Sequence, residues 1–167
     1  MKNITENQNG LRREDYQSLA EFRYQIRRFA RFSEEEARRN GLEPQHHQMM
    51  LAVKGAGAGD APHIGYLAER LQIRHHSAVE LIDRLERKGF IRRVRSAGDR
   101  REVLVRLTPR GERKLATLTM ATRAELRSAA PSLVRTLKKV MASASVSGSK
   151  AGMGRAAAKP SKEEFAR

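Results

Sequence analysis

Residues 64–108 constrain the fold more than any other part of the chain. They begin with two short apolar stripes, each with the i, i+3, i+4, i+7 spacing of one helix face. The first stripe is Ile64, Leu67, Ala68 and Leu71, and the second is Ala78, Leu81, Ile82 and Leu85. Because only residues 72–74 separate the stripes, the two helices must pack at a steep angle instead of continuing as one rod.

The pattern changes from helical to extended after Gly89. The basic residues Arg87 and Lys88 followed by a glycine are typical of a helix C-terminus. Residues 90–95 and 102–107 then alternate as strands do, and turn-forming residues connect them. The sequence therefore predicts a mainly α chain with a small β-hairpin wing, which is a winged helix-turn-helix with further helices at both ends.

Basic residues are concentrated on the second of these helices and on the hairpin. They are Arg84, Arg87, Lys88, Arg92, Arg93, Arg95, Arg100 and Arg101, opposed only by Glu86 and Asp99. A charge run is often just a solvated face, but this one lies on a unit suited to reading DNA. The whole chain has a formal net charge of +15, which attracts nucleic acid first and acidic membrane second. We favour nucleic acid, because the charge clusters on a compact unit and not along one amphipathic helix.

Several motifs in this stretch resemble those of the multiple antibiotic resistance regulator (MarR) family. The helices carry Leu67-Ala68-x-x-Leu71 and Asp83-Arg84-Leu85-Glu86-x-x-Gly89, and the wing carries Arg95-x-x-x-Asp99-x-Arg101 followed by Val103-Leu104-Val105-x-Leu107-Thr108-x-x-Gly111. The paired histidines His75 and His76 resemble a subgroup of the family. The resemblance covers residues 15–142, with two departures: Gln72 replaces the common turn glycine, and Arg74 replaces the common capping Ser or Thr.

The resemblance implies a homodimeric transcription regulator, a repressor, that binds a pseudo-palindromic operator in double-stranded DNA. Residues 74–87 would enter the major groove and the wing would enter the flanking minor groove. The expected DNA contacts are Arg74, His75, His76, Ser77, Val79, Arg84, Arg87, Arg95, Asp99, Arg100 and Arg101. The two histidines could instead serve only as a helix cap or in packing.

The predicted first helix, residues 15–39, has an apolar seam formed by Tyr16, Leu19, Phe22, Ile26 and Phe29. The seam predicts a core or dimer contact, and its aromatic residues could also line a ligand pocket. The family resemblance implies a small aromatic or phenolic effector. The candidate pocket residues are Tyr24, Phe29, His46 and Met50, the last two on a second helix predicted over residues 44–54.

Two prolines suggest helix starts after the wing, Pro109 and Pro131. The resemblance implies that these C-terminal helices interlace with the first helix of a partner chain. Domain boundaries follow: a flexible segment over residues 1–14, a MarR-type domain over 15–142 with its winged-helix core at about 44–108, and a disordered basic tail over 143–167.

Other function classes lack their motifs. The chain has no cysteine, no H-E-x-x-H and no nucleophile elbow, so we expect no cofactor, no metal and no enzymatic activity. The glycine-rich residues 55–59 lack the spacing of a phosphate loop and are interpreted as a connector. With no signal peptide and no long apolar run, we expect a cytoplasmic protein. The alternative to a regulator is an architectural DNA-binding protein without effector control.

Overall fold

The computed structural model describes residues 11–57, 61–95 and 103–147. The chain divides into two compact units, which are residues 23–133 and a smaller unit made of residues 1–22 and 134–167. In the smaller unit the described residues from 13 onwards are helical, and the polar side chain of Thr136 is buried. The larger unit contains every element of the predicted winged helix.

The elements follow the predicted order closely. They are α1 (Arg13–Arg39), α2 (Pro44–Lys54), α3 (Ile64–Leu71), α4 (His75–Arg87), β1 (Ile91–Arg95), β2 (Val103–Leu107) and α5 (Pro109–Ser147). A mostly helical chain with one two-stranded antiparallel hairpin confirms the predicted fold class. Of the described residues, no helix is both long enough and apolar enough to cross a bilayer.

Local chemistry explains where the helices begin and end. Gly41 and Gly89, each two residues after the end of α1 and of α4, both have a φ of +71°, a conformation that glycine adopts without steric cost. Pro44 occupies the first turn of α2, where its missing N–H costs nothing. His63 caps α3, because its Nδ1 accepts the N–H of Tyr66 at 3.1 Å.

The hydrophobic core lies among α2, α3, α4 and the hairpin. Burial of each large aliphatic side chain contributes about 1.5–3 kcal/mol, so this core fixes which face of α4 points outward. The buried residues are Met49, Met50 and Val53 from α2, Leu67 and Ala68 from α3, Ala78, Leu81, Ile82 and Leu85 from α4, and Ile91 and Val105 from the hairpin.

The hairpin is anchored on both sides of β2. On one side β1 pairs with β2 in antiparallel register, from Ile91 opposite Leu107 to Arg95 opposite Val103. On the other side the N–H of Val105 donates to the carbonyl of Pro62 at 3.0 Å, and Leu104 forms a bridge with His63. The base of the wing is therefore tied to the segment that leads into α3.

Thr108 joins the end of the hairpin to the start of α5. Its hydroxyl donates to the carbonyl of Gly89 at 2.7 Å and accepts the N–H of Gly111 at 3.1 Å. Its own N–H donates to the carbonyl of Phe90 at 3.0 Å. Gly111 lies so close to Phe90 that a Cβ on Gly111 would overlap the Phe90 carbonyl. One residue thus connects the end of α4, the sheet and α5.

The C-terminal region differs from the prediction. Pro131 lies inside the single helix α5, so the prediction that it opens a separate last helix is wrong. An interior proline removes one backbone donor and costs about 3 kcal/mol. The helix nevertheless continues to Ser147, because one lost hydrogen bond is small beside those that a helix of 39 residues retains.

The predicted boundaries at the two ends also shift. α5 runs past residue 142, where the basic tail was expected to begin, and ends at Ser147. The remainder of that tail, residues 148–167, lies outside the described residues. At the other end α1 begins at Arg13, within the segment predicted to be flexible, and residues 1–10 lie outside the described ranges.

Candidate nucleic-acid interface

The outward face of α4 carries most of the residues expected to contact DNA. His75 and His76 are exposed at its first turn, and Arg84 and Arg87 are exposed in its second half. Ser77 and Val79 are half-buried beside them. Since the opposite face packs into the core, these side chains form one surface along the helix.

The turn between α3 and α4 keeps its geometry without glycine. Gln72 adopts the left-handed conformation, with φ 53° and ψ 44°, and is the one non-glycine residue with positive φ in the described chain. Its side-chain Nε2 donates to the carbonyl of Glu69 at 2.8 Å, and the N–H of Ile73 donates to that of Ala68 at 3.0 Å. These bonds hold the turn that orients α4.

Arg74 occupies the N-cap position of α4 with extended backbone, φ −67° and ψ 150°. Its side chain makes no capping hydrogen bond, unlike the Ser or Thr common at this position. The first N–H groups of α4 therefore receive no side-chain acceptor from the cap. A helix N-terminus in this state favours an anion, and the exposed arginine adds a positive charge there.

The hairpin adds a second basic surface. Arg92 and Arg95 of β1 are exposed, and Arg106 of β2, the cross-strand partner of Arg92, is exposed as well. Like charges directly opposite each other are unfavourable unless an anion lies nearby. The predicted contacts Asp99, Arg100 and Arg101 at the tip lie outside the described residues.

Arg93, which the sequence pattern groups with the other basic residues of α4 and the hairpin, connects the wing to α4. Its Nη2 donates to Asp83 Oδ1 at 2.5 Å, its Nη1 donates to Glu86, and its backbone N–H donates to Glu86 Oε1 at 2.9 Å. Burial disfavours the charged guanidinium, but the bonds to Asp83 and Glu86 outweigh it and raise the pKa of Arg93. One feature of the sequence does point to this role of Arg93. Two acids three residues apart on α4, Asp83 and Glu86, precede a strand with an alternating pattern.

The MarR family model matches residues 40–102, the segment from the end of α1 to the tip of the hairpin. This segment includes the turn between α3 and α4, α4 itself and the first strand of the wing. Over this segment the winged helix is similar to that of the MarR family.

Solved MarR structures have the same fold. AbsC, a MarR family transcriptional regulator from Streptomyces coelicolor, is 20% identical over 64% of this chain and 71% of its own, with a TM-score of 0.55. A mutant MarR from E. coli complexed with operator DNA is 18% identical over 73% and 89% of the two chains, with a TM-score of 0.57. A probable transcriptional regulator from Pseudomonas aeruginosa is 25% identical over 72% and 90%, with a TM-score of 0.55. No curated protein sequence matches the chain.

The four residues proposed for a MarR effector pocket do not line a common opening. His46 and Met50 have no accessible surface and belong to the interior of the winged helix, whereas 51% of Tyr24 is exposed and Phe29 is half-buried. A side chain without accessible surface cannot contact a ligand unless the core opens. The sequence pattern marks His46 and Met50 as helical, but it does not distinguish the core side of α2 from its solvent side.

His46 is buried, and neither ring nitrogen has a hydrogen-bond partner among the residues that the structure describes. Burial lowers the pKa of His46, and the positive charges of Lys88 and Arg84 lower it further. The Glu43 carboxylate, 3.9 Å from Nε2, raises the pKa and partly offsets these effects. Burial also lowers the pKa of the neighbouring His47. Both side chains are thereby favoured in the neutral form. The described residues contain no cluster of three potential metal ligands.

An open cavity lies where α2, β2 and α5 meet. Its volume is 450 Å³. Its floor is mostly apolar, its rim carries an ion pair between Lys54 Nζ and Glu112 Oε1 at 2.6 Å, and Arg123 adds a further positive charge. The lining residues are Lys54, Leu107, Glu112, Leu115, Ala116, Thr119, Met120 and Arg123.

Proposed function

We propose that the chain is a sequence-specific DNA-binding transcription regulator that acts as a homodimeric repressor in the cytoplasm. The observation that carries the proposal is the outward face of α4 beside the exposed arginines of β1 and β2, in one unit with a MarR winged helix. The E. coli MarR mutant with the same fold is complexed with operator DNA. Such a protein acts by binding and not by catalysis.

Each subunit would place α4 in a major groove. The uncapped N-terminus of α4 would meet a phosphate, and His75, His76, Ser77 and Val79 would lie nearest the base edges. Arg84 and Arg87 would contact the backbone. Arg95, with the tip residues Asp99, Arg100 and Arg101, would reach the flanking minor groove, whose negative potential attracts arginine.

A second copy of the chain would cover the apolar surface that the terminal helices leave exposed. The exposed large apolar residues on these helices are Tyr16, Leu19, Tyr24 and Ile26 on α1 and Met120, Leu126, Val134, Leu137 and Met141 on α5. Large apolar patches on a single chain mark interaction surfaces. Two-fold symmetry would require half-sites about one helical turn, ~10 bp, apart.

The cavity lined by Leu107, Leu115 and Arg123 is the opening best suited to an effector. A mostly apolar lining with Arg123 beside the Lys54–Glu112 ion pair fits a small aromatic or phenolic acid. Because Leu107 belongs to β2 and Lys54 to α2, a ligand there would contact both the wing and the core. Binding of salicylate-sized acids, measured by calorimetry with wild type and Arg123→Ala, tests this part of the proposal: equal affinity for both would contradict it.

Selection of bound fragments from a genomic library, followed by salt titrations, tests the DNA-binding function. Replacing Arg95 or Arg101 by Ala should weaken operator binding by roughly 1–3 kcal/mol and reduce the salt slope. Asp99→Ala should also weaken binding, because we expect this carboxylate to hold a tip arginine. Arg38→Ala, an exposed arginine on α1, is the matched control. Equal affinity for operator and random DNA would favour the architectural alternative.

Analytical ultracentrifugation at micromolar concentration tests the dimer. Ile26→Glu should produce monomers, since it places a charge on an apolar surface that a partner would cover. Leu51→Glu is the matched control, because Leu51 on α2 is as exposed, 47% against 46%, but lies outside the terminal helices. A wild-type monomer that still binds a palindrome tightly would contradict the dimer.

A further inference from the structure

α4 presents a row of exposed residues opposite its buried face. The row is His76, Glu80, Asp83 and Arg87, at spacings of three and four residues. Two of its members are acids, although phosphates surround any helix inserted in a groove. An acid in this place lowers DNA affinity unless another group compensates it.

The two acids differ in their surroundings. Asp83 is held by Arg93 at 2.5 Å and so belongs to the wing connection. Glu80 has 64% of its side chain exposed and lies 3.5 Å from Arg84, one turn further along the same helix. Exposed pairs of this kind contribute only about 0.3–0.5 kcal/mol, so Glu80 has little value for stability.

We infer that Glu80 is a specificity-determining residue that accepts a hydrogen bond from the N4 amino group of a cytosine. In the major groove a carboxylate can only accept, and Glu is matched to the cytosine amino group. Glu80 is one turn beyond His76, within the half of α4 where base contacts concentrate. Arg84 then positions the carboxylate and offsets its repulsion from phosphate. This assignment rests on the proposed function, in which α4 reads DNA.

The test is a binding-and-sequencing experiment on a randomised half-site pool with full-length protein. Wild type should prefer cytosine at one position of each half-site by about 5- to 150-fold. Glu80→Ala should abolish that preference and leave the other positions unchanged. Glu80→Gln should change the preference to adenine, which a carboxamide contacts through N6 and N7. Glu69→Gln is the matched control, because it makes the same charge change at an exposed acid on α3. This variant should keep the wild-type preference for cytosine.

Two results would overturn the assignment. If Glu80→Ala and Glu80→Gln only raise affinity for every sequence alike, Glu80 is an electrostatic brake and reads no base. If the sequence preference of both variants equals that of wild type, Glu80 does not face the groove. In either case the wild type still discriminates among sequences and the regulator proposal survives. A wild type that binds all sequences equally would instead overturn the regulator proposal, and the cytosine assignment with it.

Discussion

Arg93 of β1 holds Asp83 of α4 through a charged hydrogen bond of 2.5 Å between Nη2 and Oδ1. Glu86, one turn of α4 further on, binds the same guanidinium and the backbone N–H of Arg93. Together with the shared core and Thr108, Arg93 therefore helps to fix the angle between α4 and the hairpin. Under the proposed function both parts fit DNA together, so this contact would couple stability to recognition.

Replacing Arg93 by Ala should lower the free energy of unfolding by about 1–2 kcal/mol, because it leaves two carboxylates without their partner. Chemical denaturation measures this. Arg92→Ala is the control: Arg92 is exposed, so its loss should change stability by less than about 0.5 kcal/mol while still weakening DNA binding. Equal stability of the two variants would contradict the connecting role of Arg93.

Gly111→Ala should cost about 2 kcal/mol or more, since the new Cβ overlaps the backbone carbonyl of Phe90 and neither group can move easily. Gly65→Ala makes the same change inside α3, where the new Cβ meets only the His63 ring at 3.3 Å. There the better helix propensity of alanine should leave stability unchanged or slightly higher. Thermal melts of both variants measure this difference in stability. A larger loss of stability for Gly65→Ala than for Gly111→Ala would contradict this packing.

Acid should destabilise the winged helix through its buried histidines. Burial lowers the pKa of His46 and His47 below the ordinary value of 6.5, so below that pH the unfolded chain binds protons that the folded chain does not. The stabilisation is therefore present above about pH 6.5 and is lost as the pH falls, by at most ~1.4 kcal/mol per pH unit for each histidine.

Urea unfolding at about pH 7.5 and about pH 5.5 measures this slope. His46→Leu should reduce it, because an apolar side chain needs no proton. His76→Leu, at an exposed position of α4, should keep the wild-type slope. If both variants show the same pH dependence, another group is responsible.

Gln72→Val should destabilise the chain by about 1–2 kcal/mol, since a β-branched residue is strained in the left-handed conformation. Gln72→Gly relieves strain but loses the bond from Nε2 to the Glu69 carbonyl, so its stability should stay within about 1 kcal/mol of wild type. Equal melting temperatures for the Val and Gly variants would show that the turn changes its conformation.

Periodicity predicts the elements well where one signal dominates. The bounds of α2 are as expected, and α4 and both strands agree within one residue, because apolar spacing, Gly89 and Pro44 all act locally. Pro131 misleads because proline is found more often at the start of a helix than in its interior, whereas here it lies inside α5.

The candidate site is predictable only in part. The exposed positions of His76 and Arg87 follow from the helical spacing of the buried residues. The role of Arg93 does not follow from the sequence. The charge pattern alone does not distinguish an arginine that could contact DNA from one that binds Asp83. The burial of His46 likewise depends on how α2 packs against α4, a contact between segments far apart in sequence.

The anchoring of β2 on both sides has a consequence for the behaviour of the chain at high concentration. Because residues 62–63 cover one edge of β2 and β1 covers the other, the open edge of the described sheet belongs to β1. That edge strand carries the exposed side chains of Arg92 and Arg95. Charged side chains on an exposed edge discourage strand addition by other molecules. The two exposed arginines of β1 therefore also protect the sheet from aggregation through this edge.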